Sequence, residues 1–91
     1  MKLSIVAFTK TGAALLNRLE DGMRAAGYEV MDASVLRRGG TEPRPSLHDW
    51  AEQAFSGDAV LFVGACGIAV RAIAPFVRDK FCDPAVVSVD E

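Results

Sequence analysis

The chain has 91 residues, of which 51% are hydrophobic and 24% are charged, and its mean hydropathy is +0.21. This length fits one small domain, and this composition is typical of an ordered globular chain and excludes intrinsic disorder. Ten basic and twelve acidic side chains give a formal net charge of −2, so a general attraction to nucleic acid is not expected. No apolar run approaches the roughly 20 residues that span a bilayer, so no membrane contact is expected either.

The cysteine and histidine content limits the metal sites and the thiol chemistry that the chain could have. Two cysteines, Cys66 and Cys82, and one histidine, His48, are too few for a structural zinc site, so no metal site is predicted. We expect both thiols to be reduced and the protein to be cytoplasmic, and a disulfide between the two is the less favoured alternative. Cys66 as a nucleophile is also disfavoured, because no base is predicted beside it.

The first third of the chain alternates between strand and helix patterns. Residues 3–8 are almost continuously apolar, which is typical of a strand buried on both faces. Residues 12–26 carry apolar side chains at helical spacing and predict an amphipathic helix, with Gly27 as its C′ residue. Residues 28–32 predict a short strand, in which Glu29 indicates an edge position.

The middle of the chain predicts a connection and a second helix. Residues 34–45 hold two prolines and two adjacent glycines, which favour a loop. Ser46 is a good N-cap for the helix that follows, and His48 is expected on its solvent face. The apolar stripe of this helix comprises Leu47, Trp50, Ala51, Ala54 and Phe55.

The last third predicts strand, helix and strand again. Residues 59–63 form a second fully apolar strand, and residues 68–77 predict a helix that Pro75 either kinks or breaks. Asp83 and Pro84 indicate a turn before a last apolar strand at residues 85–89.

The β-α-β-α-β-α-β order predicts an α/β fold with three layers and a parallel four-stranded sheet of flavodoxin-like order 2-1-3-4. Residues 1–91 are interpreted as a single domain. The last strand would place Val86, Val87 and Val89 on an open apolar edge, which natural proteins avoid. We therefore expect a sheet that is incomplete at its C-terminal edge. The chain is then the N-terminal portion of a longer protein, or it pairs with a partner chain along residues 86–89.

A candidate binding site follows from this order, because ligands of open parallel sheets bind at the carboxyl ends of the strands where the strand order reverses. That point lies between the first and third strands. The point where the chain leaves the carboxyl end of each of these strands is called its exit. Each exit leads into a helix N-terminus, which favours an anion, and Lys10 and Arg71 add positive charge. The first turn presents Thr9, Lys10, Thr11 and Gly12, and the second presents Gly64, Ala65, Cys66, Gly67 and Ile68. On this ground we expect Lys10, Thr11 and Gly12 to contact the ligand. The sequence thus predicts a cleft for carboxylate or phosphate, although the glycines could equally serve only tight turns beside solvated cations.

One stretch of the chain resembles a known family. Residues 64–75 read GACGIAVRAIAP, and they are followed by Asp79-Lys80 and by DPAVVSVDE at residues 83–91. This pattern resembles the N-terminal domain of the cobalamin-biosynthesis protein CbiG family, which carries G-A-x-G-I-A-V-R-x-I-A-P, then D-K, D-P-A-V and V-D-E. The resemblance covers roughly residues 60–91, and residues 1–30 fit more loosely.

The resemblance implies that the chain is part of a cobalt-precorrin-5A hydrolase, an enzyme that hydrolyses a C–C bond in cobalamin biosynthesis. This enzyme opens the ring-A lactone of its substrate and releases acetaldehyde. The substrate is an anionic cobalt-tetrapyrrole, so cobalt enters only with the substrate and no separate cofactor is implied. The candidate substrate-binding residues at matching positions are Gly64, Gly67, Arg71, Asp90 and Glu91. No catalytic residue is assigned, and we expect these 91 residues alone to be inactive.

Two alternatives from other classes are kept. The first is a non-catalytic docking module that acts through a partner chain along the last strand. The second is a flavin site, because residues 9–12 resemble the flavodoxin phosphate loop Thr-x-Thr-Gly-Asn-Thr, but Ala13 and Ala14 replace its last two residues.

Overall fold

A computed structural model describes residues 1–36, 46–64, 66–78 and 83–89, with the backbone alone at 66–69. The strands are β1 (Lys2–Ala7), β2 (Glu29–Val35), β3 (Ala59–Val63) and β4 (Ala85–Val89). The helices are α1 (Lys10–Ala25), α2 (Leu47–Ala54) and α3 (Cys66–Ile73), and a 3₁₀ turn follows at Ala74–Phe76. All strand pairs are parallel and the sheet order is β2-β1-β3-β4. The predicted α/β fold and strand order are confirmed.

The core lies on both faces of the two central strands, because successive strand residues point to opposite faces. On one face Leu3, Ile5 and Ala7 pack with Leu16 of α1. On the other face Val6, Val60 and Phe62 pack with α2 and α3 around Trp50, which is 4% exposed. Burial on both faces explains why β1 and β3 are continuously apolar in sequence.

The helix ends follow local capping chemistry. Thr9 caps α1, so this helix begins at Lys10, two residues before the predicted start. The side chain of Ser46 accepts a hydrogen bond from the Asp49 amide and caps α2 as predicted. Gly27 has φ of +92°, a left-handed conformation that a residue with Cβ adopts only at a cost, so its predicted role after α1 is confirmed.

Strand β2 differs from its prediction because it contains a bulge. Leu3 pairs with Val30, but the next residue, Ser4, pairs with Asp32, so Met31 is an extra residue. The strand then continues to Val35, three residues beyond the predicted end. The extra residue shifts the alternation, so that side chains on both sides of the bulge reach the α1 face.

Pro75 ends the third helix. Of the two expected outcomes, the break is observed: α3 stops at Ile73, and Pro75 is the second residue of the 3₁₀ turn, not the first as expected. The Asp83 carboxylate accepts a 2.8 Å hydrogen bond from the Arg78 amide, which joins the end of this turn to the approach to β4.

Both outer strands are edges, as predicted. On β4, Val86 is 37% exposed and Val87 is 47% exposed, so the expected open apolar edge is present. In the described ranges, no helix combines the length and hydropathy that crossing a membrane requires.

Candidate functional site

The two predicted turns lie side by side. Strands β1 and β3 are neighbours in parallel register, and their last residues, Ala7 and Val63, are paired. The chain therefore leaves both strands at the same edge of the sheet. The Phe8 ring lies beside the second of these turns: a Cβ atom built on Gly64 would lie 3.2 Å from Cδ2 of the ring.

The first exit presents the N-terminus of α1. Thr9 Oγ1 accepts a 2.9 Å hydrogen bond from the Gly12 amide, and the Thr9 carbonyl accepts one of 2.8 Å from Ala13. The amides of Lys10 and Thr11 precede these and have no acceptor within the helix. The side chains of Lys10 and Thr11 are exposed and Gly12 is buried. This turn therefore offers two backbone donors and one ammonium group.

The second exit is fixed by hydrogen bonds between Gly64 and strand β4. The Gly64 amide donates a 2.9 Å hydrogen bond to the Val89 carbonyl, and Ser88 Oγ donates to the Gly64 carbonyl at 3.3 Å. Gly64 is therefore anchored to β4, and its amide is not available to a ligand. The donors that this exit offers are the first amides of α3, where Gly67 is the second residue.

Arg71 is the cation nearest to this exit in sequence. It lies in the last turn of α3, and its side chain is exposed. The Cα–Cβ bonds of a helix tilt toward its N-terminus, so the first side-chain bond of Arg71 points toward the β3 end of the helix. Within the described ranges, Arg71 has no ion-pair partner, whereas Arg24 pairs with Glu20. The remaining predicted site residues, Asp90 and Glu91, lie outside the described residues, as does Cys82.

A groove of about 600 Å³ lies elsewhere, on the α2 side of the edge strand β2. Trp50 Nε1 donates a 2.6 Å hydrogen bond to Asp32 in this groove. The lining residues are Ser4, Met31, Asp32, Ser34, Asp49, Trp50, Glu52, Gln53 and Ala54. Among the residues that the structure describes, three that line this groove are acidic, namely Asp32, Asp49 and Glu52. None of the predicted site residues is among the described residues that line this groove.

His48 is exposed on α2, as predicted, and its ring packs against Phe76 at a centroid distance of 5.0 Å. Its ligand atoms lie within 4.8 Å of those of Asp49 and Glu52. All three residues are exposed, and they lie on the surface of α2 rather than at the strand exits. This cluster does not contribute to the candidate site.

Two contacts at the strand exits were not predicted, although Thr9 belongs to the predicted first turn. The Thr9 side chain accepts a hydrogen bond from the Gly12 amide, and the Phe8 ring lies beside Gly64. The signal for Thr9 was present in the sequence, since threonine before a helical pattern is a common N-cap. The orientation of Phe8 depends on the pairing of β1 with β3 and has no local signal.

The fold and the two adjacent exits define a doubly wound α/β domain with a candidate anion site at its switch point. Residues 49–91 match the family described as cobalamin synthesis G N-terminal. Over 98% of its length the chain is 40% identical to a cobalt-precorrin-5A hydrolase of Salmonella typhimurium, and it spans 25% of that protein. No solved structure gives a significant match. The chain belongs to the cobalamin synthesis G family, through its N-terminal domain.

Proposed function

We propose that the protein acts in cobalamin biosynthesis as the N-terminal part of a cobalt-precorrin-5A hydrolase. The observation that carries this proposal is the 40% identity, over 98% of the chain, to a protein of that name. Because the chain spans 25% of that relative, the activity is proposed for a whole protein. These 91 residues contribute substrate binding and are inactive alone.

The proposed reaction is hydrolytic. Water opens the ring-A lactone of cobalt-precorrin-5A, and the bridging carbon leaves as acetaldehyde. The cobalt belongs to the substrate, and no further cofactor takes part. The acetate and propionate groups at the rim of the tetrapyrrole give it several negative charges, which an electropositive cleft would recognise.

The proposed binding site is the pair of turns at the strand exits. The Lys10 and Thr11 amides, the Lys10 ammonium and the Arg71 guanidinium would bind a substrate carboxylate. Gly67, which has no side chain, would allow close approach to the N-terminus of α3, whereas Gly12 is buried and its amide is bonded to Thr9 Oγ1. Gly64 holds the second turn to β4 through its own backbone. Asp90 and Glu91 remain candidates from the family resemblance alone.

The binding part of the proposal is tested by titrating a polycarboxylated porphyrin into the purified chain and following its absorbance. Each charge-assisted hydrogen bond contributes about 1.5–3 kcal/mol, so Arg71→Ala and Lys10→Ala should each weaken binding at least about tenfold. Arg18→Ala is the matched control, because Arg18 is an exposed arginine in the middle of α1. Equal affinity of wild type and Arg71→Ala would remove Arg71 from the site.

The reaction is tested in a chimaera in which these 91 residues replace the aligned quarter of the Salmonella protein. The chimaera should release acetaldehyde from cobalt-precorrin-5A, and the 91-residue chain alone should release none. A folded chimaera that binds substrate without releasing acetaldehyde would contradict the proposed reaction.

The docking module is not favoured as the function of the protein. The relative that covers nearly the whole chain bears the name of an enzyme.

A further inference from the structure

The two edges of the sheet are built differently. The β2 edge carries Glu29 and Asp32 and contains the bulge at Met31. Charges and bulges on an edge strand discourage pairing with another strand. Strand β4 has neither: its sequence is Ala-Val-Val-Ser-Val, and all five residues pair in unbroken register with β3.

The amino-acid composition of β4 is typical of a buried strand, but its side chains are exposed. Its central residues Val86 and Val87 pair with Val60 and Leu61 of β3. The two β3 residues are 0% and 6% exposed, whereas Val86 and Val87 are 37% and 47% exposed. Neighbouring residues of a strand point to opposite faces, so β4 is uncovered on both faces of the sheet.

In the part of the chain that the structure describes, the backbone of β4 has hydrogen-bond partners on its β3 side alone. Ala85 donates to the Asp58 carbonyl and Val89 accepts from Gly64, so both residues are bonded on the β3 side. Alternation along the strand directs the N–H and C=O groups of Val86 and Ser88 to the open edge. This edge therefore offers two donors and two acceptors in a row that is flanked by valine side chains.

We propose that β4 is an interior strand of the full-length protein, and that its open edge pairs with a β-strand from the polypeptide that the Salmonella relative has outside the aligned quarter. A strand tethered in the same chain pairs at a high effective concentration. A second copy of this chain is a poorer occupant, because it would bring its own uncovered valines and leave both faces exposed. The inference rests on family membership and not on the proposed substrate.

Hydrogen exchange tests the pairing in the same chimaera, without substrate. The amides of Val86 and Ser88 should exchange at least about tenfold more slowly in the chimaera than in the 91-residue chain. Amides of β2, the other edge, serve as the control and should be unchanged. Equal exchange of Val86 and Ser88 in both proteins would overturn the proposal. So would protection that appears in the 91-residue chain as it dimerises at rising concentration, since the occupant is then a second copy.

A binding measurement provides a second readout. The 91-residue chain is mixed with the separately produced remaining three quarters of the Salmonella protein. Val87→Lys should weaken the complex about tenfold or more, because a charge would be buried at the new strand pair. Met31→Lys is the matched control: Met31 is 42% exposed on the opposite edge. Absence of binding by the wild type, or equal loss in both variants, contradicts the proposal. Neither readout depends on substrate, so a failure here is distinct from a failure of the proposed function.

Discussion

Trp50 and Asp32 join the second helix to the edge of the sheet: the indole N–H donates a 2.6 Å hydrogen bond to Asp32 Oδ2. The same carboxylate oxygen accepts a 2.5 Å hydrogen bond from Ser34 Oγ. The bulge at Met31 makes this contact possible, because it places Asp32 on the α2 face of β2. One long-range polar contact thus depends on one extra residue in an edge strand.

The Trp50–Asp32 bond predicts the effect of removing the carboxylate. Asp32→Ala should lower the free energy of unfolding by about 1–2 kcal/mol, since the buried indole N–H loses its charged acceptor. Urea denaturation followed by the fluorescence of Trp50, the single tryptophan, measures this change. Asp21→Ala, at an exposed position of α1, is the control and should stay within about 0.5 kcal/mol of wild type. Equal stability of the two variants would show that the bond contributes nothing.

Two glycines near the end of α1 should respond to alanine with opposite signs. A Cβ atom would meet nothing within 4 Å at either Gly22 or Gly27, but Gly27 has φ of +92°. Gly27→Ala should therefore destabilise the protein by about 1 kcal/mol. Gly22→Ala should stabilise it by about 0.5–1 kcal/mol, because alanine is the better helix former. Thermal unfolding monitored by circular dichroism compares the two, and shifts of the same sign would contradict the assignment.

The contact between Phe8 and Gly64 predicts coupling between two substitutions. Gly64→Ala should cost about 1 kcal/mol, because its Cβ atom would lie 3.2 Å from the Phe8 ring. In a Phe8→Ala background this penalty should be smaller by at least about 0.5 kcal/mol. Denaturant titration of the wild type, both single variants and the double variant gives the coupling. Strict additivity would mean that the ring does not limit the space at Gly64.

The N-cap of α2 predicts a loss and a rescue. Ser46→Ala removes the side-chain acceptor of the Asp49 amide and should cost about 1 kcal/mol. Ser46→Asp should retain most of the stability, because aspartate caps equally well and its charge suits the helix N-terminus. Urea denaturation of both variants tests this, and a loss in Ser46→Asp equal to that in Ser46→Ala would indicate that the side chain has a different role.

Most of the fold could be predicted because its signals are local. The continuous apolar runs marked β1 and β3, Ser46 and Gly27 marked helix ends, and the polar residues of the second strand indicated an edge. The boundaries of β2 could not be predicted in this way. Val30, Ala33 and Val35 all reach the α1 face, and only the bulge reconciles this spacing with strand alternation.

The candidate site was predictable in position but not in detail. The strand order alone placed the two exits together, and Ala7 and Val63 are indeed paired. That Gly64 donates its amide to Val89 depends on how β4 docks at the end of β3. The groove beside Trp50 could not be predicted from the sequence either, since it forms between residues that are far apart along the chain.

The bulge at Met31 also limits how far misassembly of this domain can spread. A β-sheet that extends through many copies needs, on each side of every copy, an edge strand that can pair with the next. The bulge and the charged residues of β2 discourage such pairing. Two copies that met at β4 would form a closed, two-fold pair with nothing left to recruit a third. Even an isolated domain of this kind would stop at dimers and not polymerise into fibres.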